Sequence, residues 1–332
     1  MRFKKPIFII ALVVASLLGV GILAQKQSFT PVETLRLGFA NESLDGLILI
    51  AQSRGFFAEE GLEVTISEYA SGKLALQAMF GGEVDMSPVA EVPIVFNSFK
   101  RNDFSIIATI GAADKHMTVI ARKDSGIEEP FDLRGKRLAT QEASALHFFS
   151  SVFLLHNGLS EGDVERSFKR ITELVPALIV GEVDAVAVIE PFTTEAKELL
   201  GENATFFTPS GIYAKTWSLL AFNDFIEGKP RTVEKLLRAL MRAEAFLTAS
   251  RDQSIGIIAE GLDVEESWVS DNLDRLNLGV SLDQSYLTLL EDVARWAITN
   301  RLTQATEVPN YLNFMYMAGM ETVDPAAVTV IR

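Results

Sequence analysis

The 332-residue sequence contains no cysteine. This absence excludes disulfide bonds, a cysteine nucleophile and any metal site built on cysteine, and it removes the residue that a bacterial lipoprotein needs for lipidation. Histidine is also scarce, since only His116, His147 and His156 are present and they are scattered along the chain. The sequence has no HExxH or G-x-S-x-G motif and no glycine-rich phosphate loop. Catalysis is therefore disfavoured, and we expect no cofactor and no metal.

The chain also has no excess of basic over acidic residues. Its 30 Lys and Arg stand against 44 Asp and Glu, which gives a formal net charge of −14 at pH 7. The first 30 residues contain basic side chains and no acidic ones, so the remaining body is more acidic still. Nucleic-acid binding needs a basic face, and we therefore expect no nucleic-acid partner.

A charged end followed by an apolar run opens the sequence. Three basic residues among the first five precede an uncharged segment at residues 7–24, and Ala24 offers a small residue for cleavage before Gln25. This pattern is typical of a secretory signal, and the run is also near the lower length limit of a membrane-spanning helix. We interpret residues 1–30 as a signal peptide or an inner-membrane anchor formed by residues 7–24. Both interpretations place the body in the periplasm or another extracytoplasmic space.

Two stretches of the chain resemble each other. Residues 78–93 read AMFGGEVDMSPVAEVP and residues 177–192 read ALIVGEVDAVAVIEPF, and both contain the tetrad Gly-Glu-Val-Asp. Each stretch has the pattern of a helix end, a tight turn and a buried strand. Ligands of open α/β sheets sit beyond the carboxyl ends of strands, so the pair suggests two similar lobes facing one ligand. The tetrads alone do not exclude two ordinary helix-turn-strand corners.

Strand and helix patterns alternate through the first part of the chain. Strand patterns at residues 34–40, 62–69, 86–89 and 104–110 are separated by helical ones. This order predicts an α/β fold with a largely parallel, doubly wound sheet. From Pro230 onward the apolar periodicity is helical, so we expect a helical C-terminal tail.

Four segments occur in an order and spacing that resemble a known family. They are LILIAQSRGFFAEEGLEVTI at residues 47–66, AEVP at 90–93, FDLRGKRLA at 131–139 and EPF at 190–192. Together they resemble the periplasmic substrate-binding proteins of ABC importers, of the nitrate/sulfonate/taurine and thiamine-precursor type. The resemblance implies a two-lobed periplasmic-binding-protein type II fold, in which each lobe has a mostly parallel, doubly wound sheet. It also implies that the lobes close on a small molecule and deliver it to membrane permease subunits.

The resemblance further implies a discontinuous first lobe. We expect lobe one to comprise residues 31–118 and 222–332, with lobe two, residues 119–221, inserted between them. The crossings and hinges are expected near Thr118 and Leu219. We expect a monomer whose partners are a small-molecule ligand and the permease.

Strand ends and helix starts around such a cleft are the expected ligand-binding positions. They are Asn41, Glu42, Ser43, Ser71, Gly72, Pro88, Ala90, Glu91, Gln141, Ser144, His147, Glu190, Phe192 and Trp217. Three of these are carboxylates, and no Lys or Arg stands at a predicted strand end. A sulfonate or nitrate needs compensating donors or a cation. We therefore expect a neutral or cationic ligand, such as an amine or a nitrogen heterocycle.

Several of these positions also have a structural interpretation. Glu91 can complement a helix dipole, and His147 can be a partly buried helix residue. Phe192 and Trp217 can pack between the lobes rather than contact a ligand. Ala143 stands where the family often has glycine, and its Cβ would crowd an oxyanion.

Two other functions stay open. An uncleaved N-terminal helix would make the protein a membrane-tethered ligand sensor. Relatives of this fold also include a pyrimidine-precursor biosynthetic enzyme, although the export pattern and the absence of cysteine argue against that role.

Overall fold

A computed structural model describes residues 32–332, and the signal peptide or anchor predicted at residues 1–30 lies outside these described residues. The strands are β1 (Glu33–Phe39), β2 (Leu62–Glu68), β3 (Met86–Ala90), β4 (Phe104–Ala113), β5 (Thr118–Arg122), β6 (Arg137–Thr140), β7 (Glu165–Phe168), β8 (Ala185–Val188), β9 (Ala204–Phe207), β10 (Lys215–Phe222) and β11 (Leu276–Asn277).

The α-helices fall into a set that alternates with the strands and a set that forms the C-terminal tail. They are α1 (Gly46–Ser53), α2 (Phe56–Glu59), α3 (Gly72–Phe80), α4 (Glu91–Ser98), α5 (Ala145–His156), α6 (Ile171–Ile179), α7 (Phe192–Leu200), α8 (Asn223–Gly228), α9 (Pro230–Ala249), α10 (Arg251–Leu262), α11 (Glu266–Leu273), α12 (Gln284–Thr299) and α13 (Met317–Val323). Within residues 32–332, no helix combines the length and the apolar character that crossing a membrane requires.

The first sheet has six strands in the order β2-β1-β3-β10-β4-β11. β1 pairs in parallel with β2 and β3, whereas β10 runs antiparallel to both of its neighbours, β3 and β4. It follows that β1, β2, β3 and β4 all point in one direction. Their carboxyl ends meet at one edge of the sheet, and β10 begins at that same edge.

The second sheet has five strands in the order β7-β6-β8-β5-β9. β6 is parallel to β7 and β8, and β5 is antiparallel to β8 and β9. Most strands of each sheet therefore share one direction, which confirms the predicted two-lobed α/β fold. The part built on the first sheet is called lobe one here, and the part built on the second is called lobe two.

The chain passes between the two sheets at residues 114–117 and 208–214. β5 begins the second sheet at Thr118, as expected. The return crossing differs from the prediction, because β10 already belongs to the first sheet at Lys215, ahead of Leu219. Lys215 and Thr216 interrupt the apolar pattern by which a strand is recognised. The lobe boundaries given above stay a prediction.

Apolar strands and one amphipathic helix account for much of the core. All five residues of β3 and all four of β8 are buried. In α9, Leu236, Leu240 and Ala243 form an apolar stripe that has no exposed surface. This stripe holds the helical tail against lobe one, because burial of such side chains is worth about 1.5–3 kcal/mol each.

The first Gly-Glu-Val-Asp tetrad forms a corner that ties two strands together. Gly82 has a φ of 78°, in the left-handed region that favours glycine. The Asp85 carboxylate accepts hydrogen bonds from the Arg36 backbone N–H at 2.8 Å and from its guanidinium Nη2 at 2.7 Å. Arg36 Nη1 also donates to the carbonyl oxygens of Gly82 and Glu83 at 2.9 Å. The tetrad thereby fixes the start of β3 against β1.

The second tetrad repeats this arrangement in lobe two. Gly181 has a φ of 74°. The Asp184 carboxylate accepts from the Arg137 backbone N–H at 2.9 Å and from its Nη2 at 2.6 Å, and Arg137 Nη1 donates to the Glu182 carbonyl at 2.7 Å. Both tetrads are therefore structural corners, and neither reaches the cleft between the lobes.

The corner in lobe two should be sensitive to acid. Hydrogen bonds from Arg137 lower the pKa of Asp184 to about 2, below the ordinary value of 3.8. The stabilisation is therefore present above about pH 4 and is lost as the pH falls toward about 2. We expect Asp184→Asn to lower the free energy of unfolding at pH 7 by about 1–3 kcal/mol, measured by denaturant titration. It should also reduce the fall in stability between about pH 4 and 2.

The exposed Asp271 provides the matched control, since Asp271→Asn makes the same chemical change at a surface position. If Asp184→Asn and Asp271→Asn have equal stabilities at pH 7 and pH 3, the corner contributes nothing measurable.

Candidate functional site

A cavity lies between the lobes, at the edge where β1 and β3 end and β10 begins. Its volume is about 40 Å³, which is room for about three water-sized groups. It is called the central cavity here. Its lining residues come from both lobes and are Glu42, Ser71, Gly72, Lys73, Ala90, Pro93, Met117, Gln141, Ser144, Ala145, Leu146, Ile171, Ile189, Lys215 and Trp217.

Two helices, one from each lobe, begin at the central cavity. α3 starts after Ser71, and α5 starts after Ser144; each serine Oγ accepts a hydrogen bond of 3.4 Å from a backbone N–H in the first turn. Ser71 and Ser144 are therefore the N-caps of these helices. The first N–H groups of a helix have no intrahelical partner, and they carry the positive end of its dipole. Two such ends facing one cavity favour a negatively charged group there.

The backbone before α5 adopts a glycine-like conformation. Ala143 has a φ of 49°, in the left-handed region that glycine enters without strain. Ala143 does not line the central cavity. Crowding of a ligand by its Cβ stays a prediction.

A buried ion pair closes one side of the central cavity. The Lys215 ammonium donates to the Glu42 carboxylate, and the two side chains are only 3% and 10% exposed. His116 Nε2 lies 3.6 Å from the same carboxylate oxygen. Burial acts to raise the pKa of Glu42, but the charge of Lys215 and the contact with His116 prevail and lower it to about 2. Glu42 is therefore a compensated anion.

The expected ligand-binding positions include no Lys or Arg, but the structure brings Lys215 to the edge where β1 and β3 end. Lys215 is the first residue of β10, and β10 runs antiparallel to β3 and β4. The beginning of an antiparallel strand lies beside the carboxyl ends of its neighbours. A sequence pattern does not show this, because strand direction is set by the pairing.

A second lysine lines the cavity from the first turn of α3. Lys73 Nζ donates to the backbone carbonyl of Glu142 at 2.7 Å, which joins lobe one to lobe two. Burial lowers the pKa of Lys73, although the nearby Glu142 carboxylate opposes this effect. Lys73 thus places a cation in the cleft, and this cation donates its hydrogen bond to a neutral carbonyl group.

Trp217 forms a wall of the central cavity and is 1% exposed. Its Nε1 donates to Asp45 Oδ1 at 2.7 Å, and Asp45 Oδ2 accepts from the Ala40 N–H at 2.9 Å. Burial raises the pKa of Asp45 to about 7, against the effect of these two donors. The Lys215 ammonium lies 4.9 Å from the Trp217 ring centroid. Trp217 therefore lines the cavity and packs in the core at once.

Glu91 has a structural role rather than a place in the cavity lining. It is fully buried, and its carboxylate accepts hydrogen bonds from the Tyr213 hydroxyl and from the Thr216 N–H, the latter at 3.0 Å. Burial raises the pKa of Glu91 to about 7, although the backbone donors oppose this. The carboxylate ties α4 to the segment that leads into β10.

Three further predicted residues lie away from the central cavity. His147 is buried between the rings of Phe168 and Trp296, with centroid distances of 4.8 and 4.9 Å. Pro88 is buried inside β3, and Phe192 packs against the core at the start of α7. The positions of His147 and Phe192 therefore favour a packing role over ligand contact.

A larger space adjoins the central cavity on the outer side of Glu42. This outer cavity has a volume of about 490 Å³. Four of the predicted positions line it: Asn41, Glu42, Ser43 and Glu190. One oxygen of Glu190 accepts hydrogen bonds from the Thr194 N–H at 3.2 Å and from its Oγ1 at 2.9 Å.

About half of the predicted positions meet at the central cavity. These are Glu42, Ser71, Gly72, Ala90, Gln141, Ser144 and Trp217. Ligand contact by these residues stays a prediction. Sequence reasoning missed Lys73 and Lys215, of which only Lys73 had a readable signal, since it directly follows the expected positions Ser71 and Gly72.

Gly72 is needed because the indole of Trp217 occupies the space of a side chain. A Cβ at position 72 would lie 2.5 Å from Trp217 Cη2 and 3.1 Å from Val89 Cα. We expect Gly72→Ala to lower the free energy of unfolding by about 1–3 kcal/mol through overpacking. Gly228→Ala, where a Cβ meets nothing within 4 Å, is the control. Thermal melting with equal midpoints for the two variants would contradict this role.

The raised pKa of Glu91 predicts a loss of stability with rising pH. The folded state holds the proton more tightly than the unfolded state, whose value is near 4.5. The stabilisation is therefore complete below about pH 4.5 and is lost as the pH rises through about 7. We expect Glu91→Gln to reduce the fall in unfolding free energy between pH 5 and 8 by about 1–3 kcal/mol. The pKa of Asp45 is also raised, so the unfolding free energy of the Glu91→Gln variant should still fall in part as the pH rises.

Denaturant titrations at several pH values measure this slope. The exposed Glu63→Gln should leave it unchanged. A slope in Glu91→Gln that matches the wild type would show that Glu91 does not take up the proton.

Comparisons with known proteins agree with this geometry. Residues 46–254 match the family described as NMT1/THI5 like. The putative aliphatic sulfonates-binding protein of Escherichia coli (strain K12) is 26% identical over 269 residues, which are 80% of this chain and 83% of that protein.

Solved structures with the same fold include two periplasmic binding proteins. The aliphatic sulphonate binding protein SsuA of Escherichia coli superposes with a TM-score of 0.71 at 20% identity, over 86% of this chain and 98% of its own. The nitrate-binding protein NrtA of Synechocystis PCC 6803 gives a TM-score of 0.70 at 13% identity, over 89% of each chain. At these identities, the likeness shows the fold alone.

The family match covers more than half of the sequence, from α1 to α10. It includes both connections between the lobes and every lining residue of the central cavity except Glu42. The chain belongs to the NMT1/THI5-like family and has the two-lobed fold of the periplasmic substrate-binding proteins.

Proposed function

We propose that the protein binds a small organic oxyanion of the sulfonate class outside the cytoplasm and delivers it to the permease of an ABC importer. The observation that carries the proposal is that two helix N-termini and two lysines, Lys73 and Lys215, meet at one cavity between the lobes. Backbone N–H groups and cationic side chains are the groups that bind oxyanions in proteins. The sulfonate-binding descriptions of the two Escherichia coli proteins support the ligand class.

The charges at the central cavity favour an anion over a cation. Lys215 compensates Glu42, whereas Lys73 donates to a carbonyl oxygen and forms no salt bridge within residues 32–332. Glu91 faces Tyr213 and Thr216 instead of the cavity. The sequence-based expectation of a neutral or cationic ligand assumed that no Lys or Arg lines the site. Because Lys73 and Lys215 line the central cavity, we propose an anionic ligand instead.

The position of the cavity supports a closing mechanism. A ligand that touches the N-termini of both α3 and α5 has more contacts when the lobes are together, so it shifts the equilibrium toward the closed form. The bond from Lys73 to the Glu142 carbonyl reinforces this form. Residues 114–117 and 208–214 connect the lobes and are the hinge segments. The permease then recognises the closed protein.

Binding without catalysis is the activity that the lining supports. Among the described lining residues of the central cavity there is no histidine, and Ser144 Oγ donates to the Gln141 carbonyl at 2.6 Å. The export pattern of residues 1–30 supports a periplasmic location. A tethered sensor would have the same ligand site, and the mass of the mature N-terminus distinguishes it from a free binder.

Lys73 allows a direct test of the ligand class. We expect isothermal titration to show binding of ethanesulfonate and no binding of ethylamine. Lys73→Met should weaken ethanesulfonate binding by about 10- to 100-fold, because it removes one charge-assisted hydrogen-bond donor. The exposed Lys123→Met, which carries the same change far from the cavity, should bind as the wild type does. Preference for ethylamine, or full affinity in Lys73→Met, would refute the proposal.

A further inference from the structure

The indole of Trp296 projects from the helical tail that packs on lobe one. Trp296 lies near the end of α12, whose buried stripe includes Leu290, Val293 and Ala297. Its ring meets that of Phe96, in α4 of lobe one, edge to face at a centroid distance of 6.2 Å. Trp296 lies beside the buried stripe and is itself only partly buried. One side of the indole is therefore held by lobe one, and its other contacts lie elsewhere.

Lobe two supplies those other contacts. His147 and Phe148, which are neighbours on α5, place their rings at centroid distances of 4.9 and 5.1 Å from the indole, both edge to face. Trp296 Nε1 donates to Glu161 Oε1 at 3.3 Å, in the turn that follows α5. Edge-to-face aromatic pairs are favourable beyond the area that they bury, and an indole N–H needs an acceptor when it leaves water. His147, Phe148 and Glu161 are together called the lobe-two socket here.

The lobe-two socket is held in place by other residues of lobe two. Glu161 Oε1 also accepts a hydrogen bond from Ser151 Oγ on α5, and Arg166 Nη1 of β7 lies 3.5 Å from the same oxygen. The ring of Phe168, also on β7, lies 4.8 Å from that of His147. Burial, followed by the charge of Arg166, lowers the pKa of His147 to about 3, so its ring is neutral at neutral pH. Trp296 therefore enters a site that lobe two has already formed.

The lobe-two socket directly follows the part of α5 that faces the central cavity. Residues 144–146 line that cavity, and His147 and Phe148 are the next two residues of the same helix. The Phe148 ring also meets that of Tyr213, in the return connection between the lobes, at a centroid distance of 5.2 Å. Trp296 itself does not line the central cavity. Any effect of Trp296 on a ligand there must therefore act through the position of α5.

The contacts of Trp296 with lobe two depend on the distance between the lobes. In this structure the lobes are together, since Lys73 of lobe one donates to the Glu142 carbonyl of lobe two at 2.7 Å. Trp296 and its socket stand on opposite sides of the connecting segments, residues 114–117 and 208–214. When the lobes part at these segments, the indole leaves the socket. The contacts therefore stabilise only the closed form, and they do so with or without a ligand.

We propose that Trp296 is a positioning residue for ligand binding, which holds the start of α5 against lobe one and raises the fraction of closed protein before a ligand arrives. This inference rests on the proposed function, because it takes the central cavity as the ligand site. The apparent affinity of a ligand falls in proportion to the fraction of protein in the form that binds it. Loss of Trp296 therefore weakens binding although no ligand contact is removed.

Small-angle X-ray scattering without ligand tests whether Trp296 holds the lobes together. The radius of gyration of Trp296→Leu should exceed that of the wild type, because a larger fraction of the protein is open. Phe246→Leu is the matched control. Phe246 is also a partly buried aromatic residue of the tail, and it meets Phe56 edge to face at 6.2 Å, but both residues belong to the lobe-one side. The control should keep the wild-type radius, and equal radii for Trp296→Leu and the wild type would overturn this inference.

Titration with ethanesulfonate tests the effect on binding. Trp296→Leu should weaken binding by about tenfold, mainly through faster dissociation in stopped-flow measurements, because two aromatic contacts and one hydrogen bond between the lobes are lost. Trp296→Phe keeps an aromatic ring in the socket and should lose only about threefold. Phe246→Leu should bind as the wild type does. Wild-type affinity in Trp296→Leu, or an equal loss in Phe246→Leu, would contradict a positioning role.

A change on the lobe-two side provides an independent variant if Trp296→Leu does not fold. Phe148→Leu removes a ring that the indole contacts and should also weaken ethanesulfonate binding and enlarge the ligand-free radius. Because both residues act through one contact, the double variant Trp296→Leu/Phe148→Leu should bind more tightly than the two separate losses predict when added. Purely additive losses would overturn this inference. No binding of ethanesulfonate by the wild type would instead overturn the proposed function, and the ligand-free radii would still decide whether Trp296 holds the lobes together.

Discussion

The buried pair of Glu42 and Lys215 is the interaction on which the cleft depends. Glu42 lies in the loop after β1 and Lys215 begins β10, so the pair joins the loop at the carboxyl end of one strand to the start of another. Removal of one partner from such a pair leaves an uncompensated buried charge, which costs about 3–5 kcal/mol. The pair therefore fixes where each charge stands, and with His116 it separates the central cavity from the outer one.

Two sets of polar groups surround this ion pair, namely the Asp–Arg corners and the helix N-termini, and they have different structural roles. The Asp85–Arg36 and Asp184–Arg137 corners lie where β3 and β8 begin and hold the sheets in register. The helix N-termini after Ser71 and Ser144 lie at the opposite ends of the strands and remain available to a ligand. The contacts that hold each sheet together are thus separate from the central cavity. The buried Asp45 carboxylate holds Trp217, and the buried Glu91 carboxylate holds Thr216 at the start of β10.

Much of the fold and part of the site could be read from the sequence. The alternating apolar patterns located β1, β2, β3 and β4, and the repeated tetrads marked equivalent turns because glycine at a positive φ is a local requirement. The arginine partners of the two aspartates lie 49 and 47 residues away, and the tetrads do not identify them. Seven of the expected ligand-binding positions meet at the central cavity, since helix starts and strand ends converge in this architecture. Their contact with a ligand, like the lobe boundaries, stays a prediction.

The sequence by itself determined most of the helices and strands and the glycine turns, because each depends on residues close to one another in the chain. Only the tertiary structure decided the charge of the site. Lys215 reaches the cleft because β10 is inserted antiparallel between β3 and β4, and Glu91 is withdrawn from it by Tyr213, a residue more than a hundred positions away. The electrostatic character of a cleft is a sum over side chains brought together by strand pairing. A count of carboxylates at strand ends therefore includes Glu91 and misses Lys215, whereas pairing and burial identify which of those charges are compensated.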